Sequence, residues 1–521
     1  MRKQLSMACM VLMALPILYS CKKDFEDLNT DPINIISTSP DKLLAPALVN
    51  AIWPGMSRNR SFTNELMQVT VSQSDGDNTV FRYAFRTSMS DYLWNAWYVQ
   101  LTNFKQVDSL SRTEKSSNAS YQAIGKIGKV WLFSMLTDIY GDIPYFHALE
   151  GDQQNVVPVF DRQKDIYLDL FKQLEEANIL LTPGAAIVAT SDPVYKGDVA
   201  KWRKFANSLY LRLLLRVSGK ADVQQQCISK IKQVVENPNQ YPIFQSNADG
   251  AGIRWSGGTS TTDPYTSPYL NGVRAQDFRG PALCSFFLDH LIDWADPRYV
   301  SSVEYGSGSI GRLGISQASG GGWYGVKSGY SPGTGDQKGC YFQSYDNAST
   351  GGVWSLQQNA LTGIIMQFAE VQFILAEAAA KGWITGDTKT FFYQGTAAAI
   401  NYWVPNFPES IGSANFTTHL DNLAAASEVW NDNLSLEEKM EMIHLQKYYS
   451  LFMTDLQQWF EYRRTGHPVL PKGIGLSNGG LMPARLVYPV YVQAANPVNY
   501  KAAVAAQGPD EISTRIWWQQ P

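Results

Sequence analysis

Few residues in this chain are spaced for chemistry. Gly306 to Gly311 satisfies G-x-G-x-x-G, a spacing that cradles a dinucleotide pyrophosphate when a strand precedes it and a helix follows. Gly314 and the glycine run at Gly320 follow instead, so the segment reads as loop. Gly475 to Gly479 satisfies G-x-S-x-G, but Met482 and Pro483 come too soon for the helix of a nucleophile elbow. His147, His290, His419, His444 and His467 form no H-E-x-x-H and no close pair, so no metal site is expected. Asp75-Gly76-Asp77 starts like a calcium loop without its later ligands. The cofactor expectation is therefore none, since a structural Ca2+ held another way would leave no mark in the sequence. Paired carboxylates for glycoside hydrolysis need a set separation across a cleft. Among 47 acidic residues, chain spacing has no power to pick such a pair, and no catalytic residue is assigned.

The positive signal is aromatic. Sugar rings present apolar C–H faces that stack on aromatic rings, and their hydroxyls need amide, carboxylate or guanidinium partners, so such sites are aromatic-lined with a few placed polar groups. Tyr92, Trp94, Asn95, Trp97 and Tyr98 form one cluster, preceded by Gln73, Asp75 and Arg82. Helical spacing puts Trp94, Trp97 and Tyr98 on one face, where core packing is an equal reading. Two loop-rich stretches, about 249–280 and 305–352, hold Trp255, Tyr265, Tyr269, Trp323, Tyr324, Tyr341 and Tyr345, with Arg254, Asn271 and Arg274 as polar companions. Gly-rich backbone gives these rings little helical core to join. Ligand contact is favoured for Trp323 and Tyr324; the others serve equally as a protein-docking surface, where aromatics and Arg are enriched.

The elements that must position these residues are helical. Ile124, Ile127, Trp131 and Met135 recur at spacings of three and four, as do Trp202, Phe205, Leu209 and Leu213, with Asp198 as N-cap. A third helix is expected from about Thr362 to Lys381, capped by Gly382. A fourth is expected from Leu436 to about Arg464, ended by Gly466 and Pro468. Glu370 and Glu377 lie two turns apart, and Arg212 and Arg216 one turn apart. Inward carboxylates and guanidiniums must pair or burial becomes costly. Asp138, Asp142, Arg463 and Arg464 are therefore expected to lock helices and turns rather than touch ligand.

With 521 residues and 45% hydrophobic side chains, the chain has material for a large core. A net charge of −4 without a basic run argues against nucleic acid as partner. Arg2 and Lys3 precede an apolar stretch from about Ala8 to Tyr19. It is too short for a membrane span and has the length of a secretory signal. It ends in Leu18-Tyr19-Ser20-Cys21, which looks like a bacterial lipobox and implies cleavage before Cys21 and its lipidation. The expected organisation is a signal peptide over 1–20, a lipidated tether over 21–40 and one domain over 41–521. Acidic residues soon after Cys21 resemble a surface-export signal. Cys227, Cys284 and Cys340 are far apart and odd in number, so buried free thiols are expected.

Seven segments carry a family resemblance. Leu136 to Tyr145 reads L-T-D-I-Y-G-D-I-P-Y, and Pro158 to Tyr167 follows as the next block. Gly197-Asp198 with Lys201 to Leu209 reads G-D and K-W-R-K-F-A-N-S-L. Asp296-Pro297-Arg298, Ala369 to Ala379, Trp459 to Pro468 and Pro483 to Pro489 complete the set, in order along the chain. Together they resemble the SusD/RagB family; His467 and Ala484 stand where Tyr and Arg are common there. The resemblance implies a mostly α SusD-like fold of tetratricopeptide-like helix pairs with an irregular, loop-rich ligand face, although no 34-residue self-similarity is visible in the sequence. It implies an outer-membrane, surface-exposed lipoprotein that captures oligosaccharide for a SusC-like TonB-dependent transporter without catalysing a reaction. Peptide or another nutrient as cargo is the alternative, and a glycoside hydrolase the remote one. In the family, sugar contacts come from the early segment and the mid-chain loops. By segment, this points to Asp75, Arg82, Trp94 and Asn95, and to Tyr265, Tyr269, Arg274, Trp323 and Tyr324.

Overall fold

Helical periodicity becomes helix almost everywhere it is read. The computed structural model describes residues 38–74, 76, 79–260, 262–299, 311–346 and 354–520. The leader, Cys21, the tether up to 37, Asp75, Asp77 and residues 306–310 lie outside the described residues.

Helix α1 spans Pro40–Arg58 and runs into a π-helical turn over Asn59–Thr63. Helices α2 (Met89–Leu110), α3 (Ala119–Tyr140), α4 (Gln163–Leu180), α5 (Val199–Val217) and α6 (Gln224–Glu236) follow, each packed on the one before. After α7 (Ser285–Asp293), helices α8 (Phe368–Ala380) and α9 (Thr388–Trp403) pack together. Helices α10 (Ala414–Ala425), α11 (Leu436–Ser450), α12 (Gln457–Thr465), α13 (Val490–Ala495) and α14 (Pro497–Gln507) complete the set, with shorter helical turns left unlabelled. Such pairing of consecutive helices is how helix-pair repeats bury apolar faces that none could bury alone. The described residues from Pro40 onward form one compact unit.

The caps explain several boundaries. Asp198 accepts from the Lys201 N–H at 3.2 Å and starts α5. Ser435 and Glu438 form a reciprocal capping box at α11. Gly141 closes α3 at φ +84°, and a Cβ there would lie 1.7 Å from Gln507 Oε1. That amide oxygen is needed in place, because it accepts from the Asp142 N–H at 2.7 Å.

Two expected helices change shape. Residues Gly363–Met366 form strand β6, antiparallel to β2 (Ala251–Ile253), so α8 begins only at Phe368. Backbone pairing with a distant segment takes the first turn away from the helix. The second, expected over 436–464, breaks into α11 and α12 at residues 451–456, where Met453 and Asp455 have φ of +64° and +33°. The break brings α12 back against α11: Gln458 Nε2 donates to the Tyr448 carbonyl at 2.9 Å, and Lys447 Nζ and Glu461 Oε2 lie 2.6 Å apart. Fourteen residues of unbroken helix would hold their backbones about 21 Å apart.

The remaining strands are short. β1 (Thr70–Val71) pairs with β3 (Ala282–Leu283), and β4 (Ile315–Gln317) with β5 (Cys340–Phe342), all antiparallel. The second pair sits Ile315 opposite Phe342 and Gln317 opposite Cys340. Cys227, Cys284 and Cys340 are free and buried.

Helices α2 and α3 approach closely at Gly125. A Cβ there would lie 2.7 Å from the Asp108 backbone nitrogen and 2.9 Å from the Phe104 carbonyl oxygen. Backbone cannot swing aside as a side chain can. Gly125→Ala is therefore expected to destabilise by at least about 1–3 kcal/mol, the usual cost of overpacking. A chemical denaturation midpoint matching the parent's would refute this close-packing argument.

Candidate functional site

The β4–β5 pair is the floor of an aromatic face. The Val326 N–H donates to the Leu283 carbonyl at 2.8 Å, and the Cys340 N–H to the Tyr324 carbonyl at 3.1 Å. Segment 323–326 is thus zipped between two others. Trp323 and Tyr324 leave this pinned backbone with half (50%) and two-fifths (41%) of their surface in solvent. Trp323 is steadied on one edge by Tyr299, with ring centroids 5.6 Å apart and nearly perpendicular. With the Gln317 amide oxygen turned inward, that oxygen accepts from Trp323 Nε1 at 2.6 Å. The rings are exposed but not loose. Neighbouring polar groups include Lys338, whose ammonium lies 4.4 Å from the Tyr341 ring centre. Burial, then the nearby Arg279 charge, pushes Lys338 down to about 8. Arg279 in turn bonds Ser344 Oγ at 2.9 Å and pairs with Asp346 at 3.0 Å.

The early segment reaches this loop system through braces. Gln73 Nε2 donates to the Asp336 carbonyl at 2.9 Å, and Arg82 Nε to the Tyr330 carbonyl at 2.8 Å. Arg82 is buried, with its guanidinium against the Phe81 and Tyr330 rings. That packing makes it a brace between segments rather than a ligand contact.

A second feature lies between α2, the loop 144–160 and α13. It is a cavity of about 540 Å3, walled by Trp94, Tyr98, Phe160, Tyr491 and Asn496 among others. Of the sequence candidates, Trp94 lines the cavity and is buried; Asn95 does not line it, but its Oδ1 accepts from the hydroxyl of the wall residue Tyr491. Large apolar side chains stand exposed on the same segments: Val99, Phe146, Val156, Val157, Val159 and Val490, with Val498 on the following α14. Exposed apolar groups gathered like this mark interaction surfaces more often than scattered ones do. The C-terminal wall, with Tyr491 and Asn496, has no aromatic cluster or loop composition in the sequence to announce it.

The mid-chain aromatics separate. Tyr269 is buried (1% exposed) with its hydroxyl donating to the Met56 carbonyl at 3.0 Å, so it belongs to the core. Trp255 is buried too. Tyr265 is half-buried, with Lys196 Nζ 5.8 Å from its ring centre. Arg274 is exposed and pairs with Asp277 at 2.6 Å in solvent, where such pairs contribute little. Neither Tyr265 nor Arg274 lines the cavity or touches Trp323.

Comparison with known proteins fits this arrangement of helix pairs and loops. The model of the SusD-like family, described as starch-binding and associating with the outer membrane, matches residues 32–489. The chain belongs to the SusD-like family. Its fold is that of solved SusD homologues. A chitin-binding SusD homologue from Flavobacterium johnsoniae superposes with TM-score 0.72 at 19% identity, covering 92% of this chain and 98% of its own. A protein named as chitin-binding gives 0.70 at 23%, covering 93% and 100%. A SusD homologue from Bacteroides fragilis gives 0.69 at 22%, also covering 93% and 100%. No curated protein matches the chain. No helix among the described residues is long and apolar enough to cross a membrane.

In this SusD-like chain the charged motif residues are structural. Arg212 bonds both Glu370 oxygens at 2.6 Å, joining α5 to α8. Asp142 accepts from Arg162 at 2.7 Å and from the Gln163 N–H at 2.9 Å. Asp138 accepts from Tyr167 and Trp518 at 2.6 and 2.8 Å. Glu377, His444 and Glu461 bring three ligand atoms within 4.8 Å of one another. However, Arg464 spans both carboxylates at 2.6–2.9 Å. Lys381 and Lys447 add further bonds at 2.5 and 2.6 Å. A divalent cation there would face three cations, so the donor set suits an ion-pair network, not a metal.

Glu65 anchors the backbone beside Arg82, accepting from the Phe81 N–H at 3.3 Å. Burial raises it to about 7, against the opposing pull of that N–H and of Arg60. The folded value lies above the unfolded one, so folding favours the protonated form. Stability from this group is full below about pH 4.5 and falls as pH rises through about 7. Glu65→Gln is therefore expected to be more stable than the parent at pH 8, by about 2–3 kcal/mol, and no more stable at pH 4. Denaturant melts at both pH values test this; a less stable variant at pH 8 would contradict it.

Proposed function

We propose that this protein captures oligosaccharide at the outer membrane and delivers it to a SusC-like TonB-dependent transporter, without catalysing a reaction on it. The observation that bears most weight is the Trp323–Tyr324 pair, exposed on a pinned backbone. Ring stacking needs aromatic faces held open to solvent, and a side chain already fixed loses little entropy on binding. Membership of a family described as starch-binding and outer-membrane-associated points the same way, as do the names of the chitin-binding neighbours. The lipobox-like Leu18 to Cys21 supports an anchor at Cys21, and the acidic Asp24, Glu26 and Asp27 soon after it support a protein facing the cell exterior. The exposed valines around the Trp94–Tyr491 cavity support a docking face for the transporter, since exposed apolar area of this kind marks interaction surfaces.

The deciding experiment is a binding screen of the mature protein, from Lys22 onward, against soluble oligo- and polysaccharides. Chitin and starch fragments come first, by affinity electrophoresis and then calorimetry. A binder with no product released supports capture. Silence across the panel, beside binding of peptides, would replace the sugar with a peptide cargo on the same fold. Product formation abolished by one Asp or Glu change would overturn the non-enzymatic reading.

A further inference from the structure

A pocket of about 230 Å3 opens where β2, β6 and the start of α8 meet segment 194–196 and the first turn of α5. It is smaller than the roughly 300–1,000 Å3 of drug-sized sites, so it suits a single small ion rather than a sugar chain. Neither the aromatic-face rings nor the walls of the Trp94–Tyr491 cavity contribute to it.

Three cations line this pocket, Lys196, Lys201 and Arg254, and no carboxylate does. Among the described residues none of the three has a carboxylate within ion-pair distance. Lys201 Nζ donates to the Ala248 carbonyl at 2.8 Å, and an ammonium has further donors to give. Lys196 and Arg254 are exposed and have rings for neighbours. Lys196 Nζ lies 5.8 Å from the Tyr265 ring centre, and the Arg254 guanidinium 5.4 Å from that of Tyr402. Carboxylates on the adjoining segments are committed elsewhere. Asp249 bonds Lys204 through both oxygens at 2.9 Å. Asp192 accepts from the Gly197 N–H at 3.0 Å and from Trp202 Nε1 at 2.8 Å. Asp198 caps α5, and Glu409 accepts from the Asn247 N–H at 2.8 Å.

The same wall holds polar atoms that nothing satisfies. Gln367 is 3% exposed, and neither its amide oxygen nor its amide nitrogen has a hydrogen-bond partner. It occupies the N-cap of α8, yet its side chain makes no capping bond, and the first N–H groups of a helix have no intrahelical partner. Asn247 Oδ1 is likewise buried and unpartnered, while its Nδ2 donates to the Ala398 carbonyl and to Asn401 Oδ1 at 2.9 and 2.8 Å. Gly250 brings the two segments together, since a Cβ there would lie 3.3 Å from the Asn247 carbonyl oxygen and 3.9 Å from Gln367 Cα. Buried polar atoms left unpaired are costly, and a ligand that pairs them removes the cost.

These groups select a ligand by its chemistry. The cations and the uncapped helix N-terminus select negative charge. The unpartnered acceptor oxygens of Gln367 and Asn247 select a donor on the same ligand. A carboxylate or sulfate ion brings charge without a donor. An amino acid brings both, but sets its ammonium among three cations. Inorganic phosphate keeps an O–H at neutral pH, whereas a phosphate ester loses its last one at about pH 6.

We propose that this pocket binds inorganic phosphate, with its anionic oxygens toward Lys196, Lys201 and Arg254 and its hydroxyl toward Gln367 Oε1. The site is separate from the oligosaccharide face and does not depend on that reading.

The test is calorimetry on the mature protein at pH 7 with inorganic phosphate, inorganic sulfate and glucose 6-phosphate as probes. Phosphate is expected to bind, and the other two to bind at least about 5-fold more weakly, the scale of one lost hydrogen bond. Lys196→Gln and Arg254→Gln are each expected to weaken phosphate about 5- to 10-fold, as loss of one charge-assisted bond does. Both side chains are exposed, so these variants should fold as the parent does. Gln367→Met is expected to weaken phosphate and leave sulfate unchanged, closing the gap between them. Should that variant fail to fold, the two cation variants and the sulfate comparison decide. Trp323→Ala is expected to bind phosphate as the parent does. No heat from phosphate, or binding untouched in the Lys196→Gln, Arg254→Gln double variant, would overturn the site. Sulfate as tight as phosphate would overturn the part given to Gln367. Glucose 6-phosphate tighter than phosphate would overturn the free ion as the ligand in favour of an ester.

Discussion

Glu377→Ala is expected to destabilise the protein by about 3–5 kcal/mol, the usual cost of removing one partner from a buried ion pair. Glu377 is wholly buried and bonds Arg464 through both oxygens, at 2.8 and 2.6 Å, with Lys381 at 2.5 Å. Removing it strands the Arg464 charge between α8 and α12 with only Glu461 as partner. Against a typical total stability of about 5–15 kcal/mol, that loss is large, and the denaturation midpoint in guanidinium reads it. The effect has a pH signature. Burial alone would raise the Glu377 carboxyl, but Arg464, His444 and Lys381 override it and hold it well below the usual carboxylate range. A depressed folded value means the stabilisation is present above the unfolded value and is lost as pH falls. The gap between parent and variant should therefore narrow on strong acidification. A loss under about 1 kcal/mol at pH 7 would mean that the network is not a lock.

Trp323→Ala is expected to weaken oligosaccharide binding by about 30-fold or more, the scale of an aromatic hot spot worth at least about 2 kcal/mol. Stability should stay within about 0.5 kcal/mol of the parent, because half of the ring is already in solvent. Tyr324→Ala should act in the same direction. Tyr269→Ala supplies the contrast. It comes from the same loop-rich part of the chain but sits in the core, and it should cost about 3–5 kcal/mol of stability. Intact binding by Trp323→Ala, beside loss of binding when Tyr491 is changed, would move the ligand to the cavity of Trp94 and Tyr491. Calorimetry and a thermal melt on the same preparations separate these outcomes.

The sequence was most informative where the physics is local. The α3 and α5 stripes, the Asp198 cap and the Gly466 stop, with its φ of +79°, depend on neighbours within a turn or two. Spacing also announced that Arg212 and Arg216 would need carboxylates, because inward charges at one-turn intervals must be paired. It could not say that Glu370 takes the first of them, 158 residues away. The break at residues 451–456 was hidden for a related reason. Leu451, Phe452 and Leu456 stay buried within it, so the apolar rhythm continues through a turn that is visible only in the contacts it makes between α11 and α12, such as Lys447 with Glu461 and Gln458 with the Tyr448 carbonyl.

The binding face was the least legible part. Tyr269 and Trp323 share a Gly-rich, Ser-rich setting and the same residue chemistry. One is core and the other is open to solvent because of which segments close over them, and nothing in the composition of either loop records that. The Trp94–Tyr491 cavity likewise joins residues hundreds of positions apart. Residue type and local spacing thus determined the helices, the paired charges and the family of this protein. Which aromatic rings stay exposed, which partners the charges take and where the cavities open were decided by tertiary packing, because burial depends on long-range neighbours that a linear pattern does not contain.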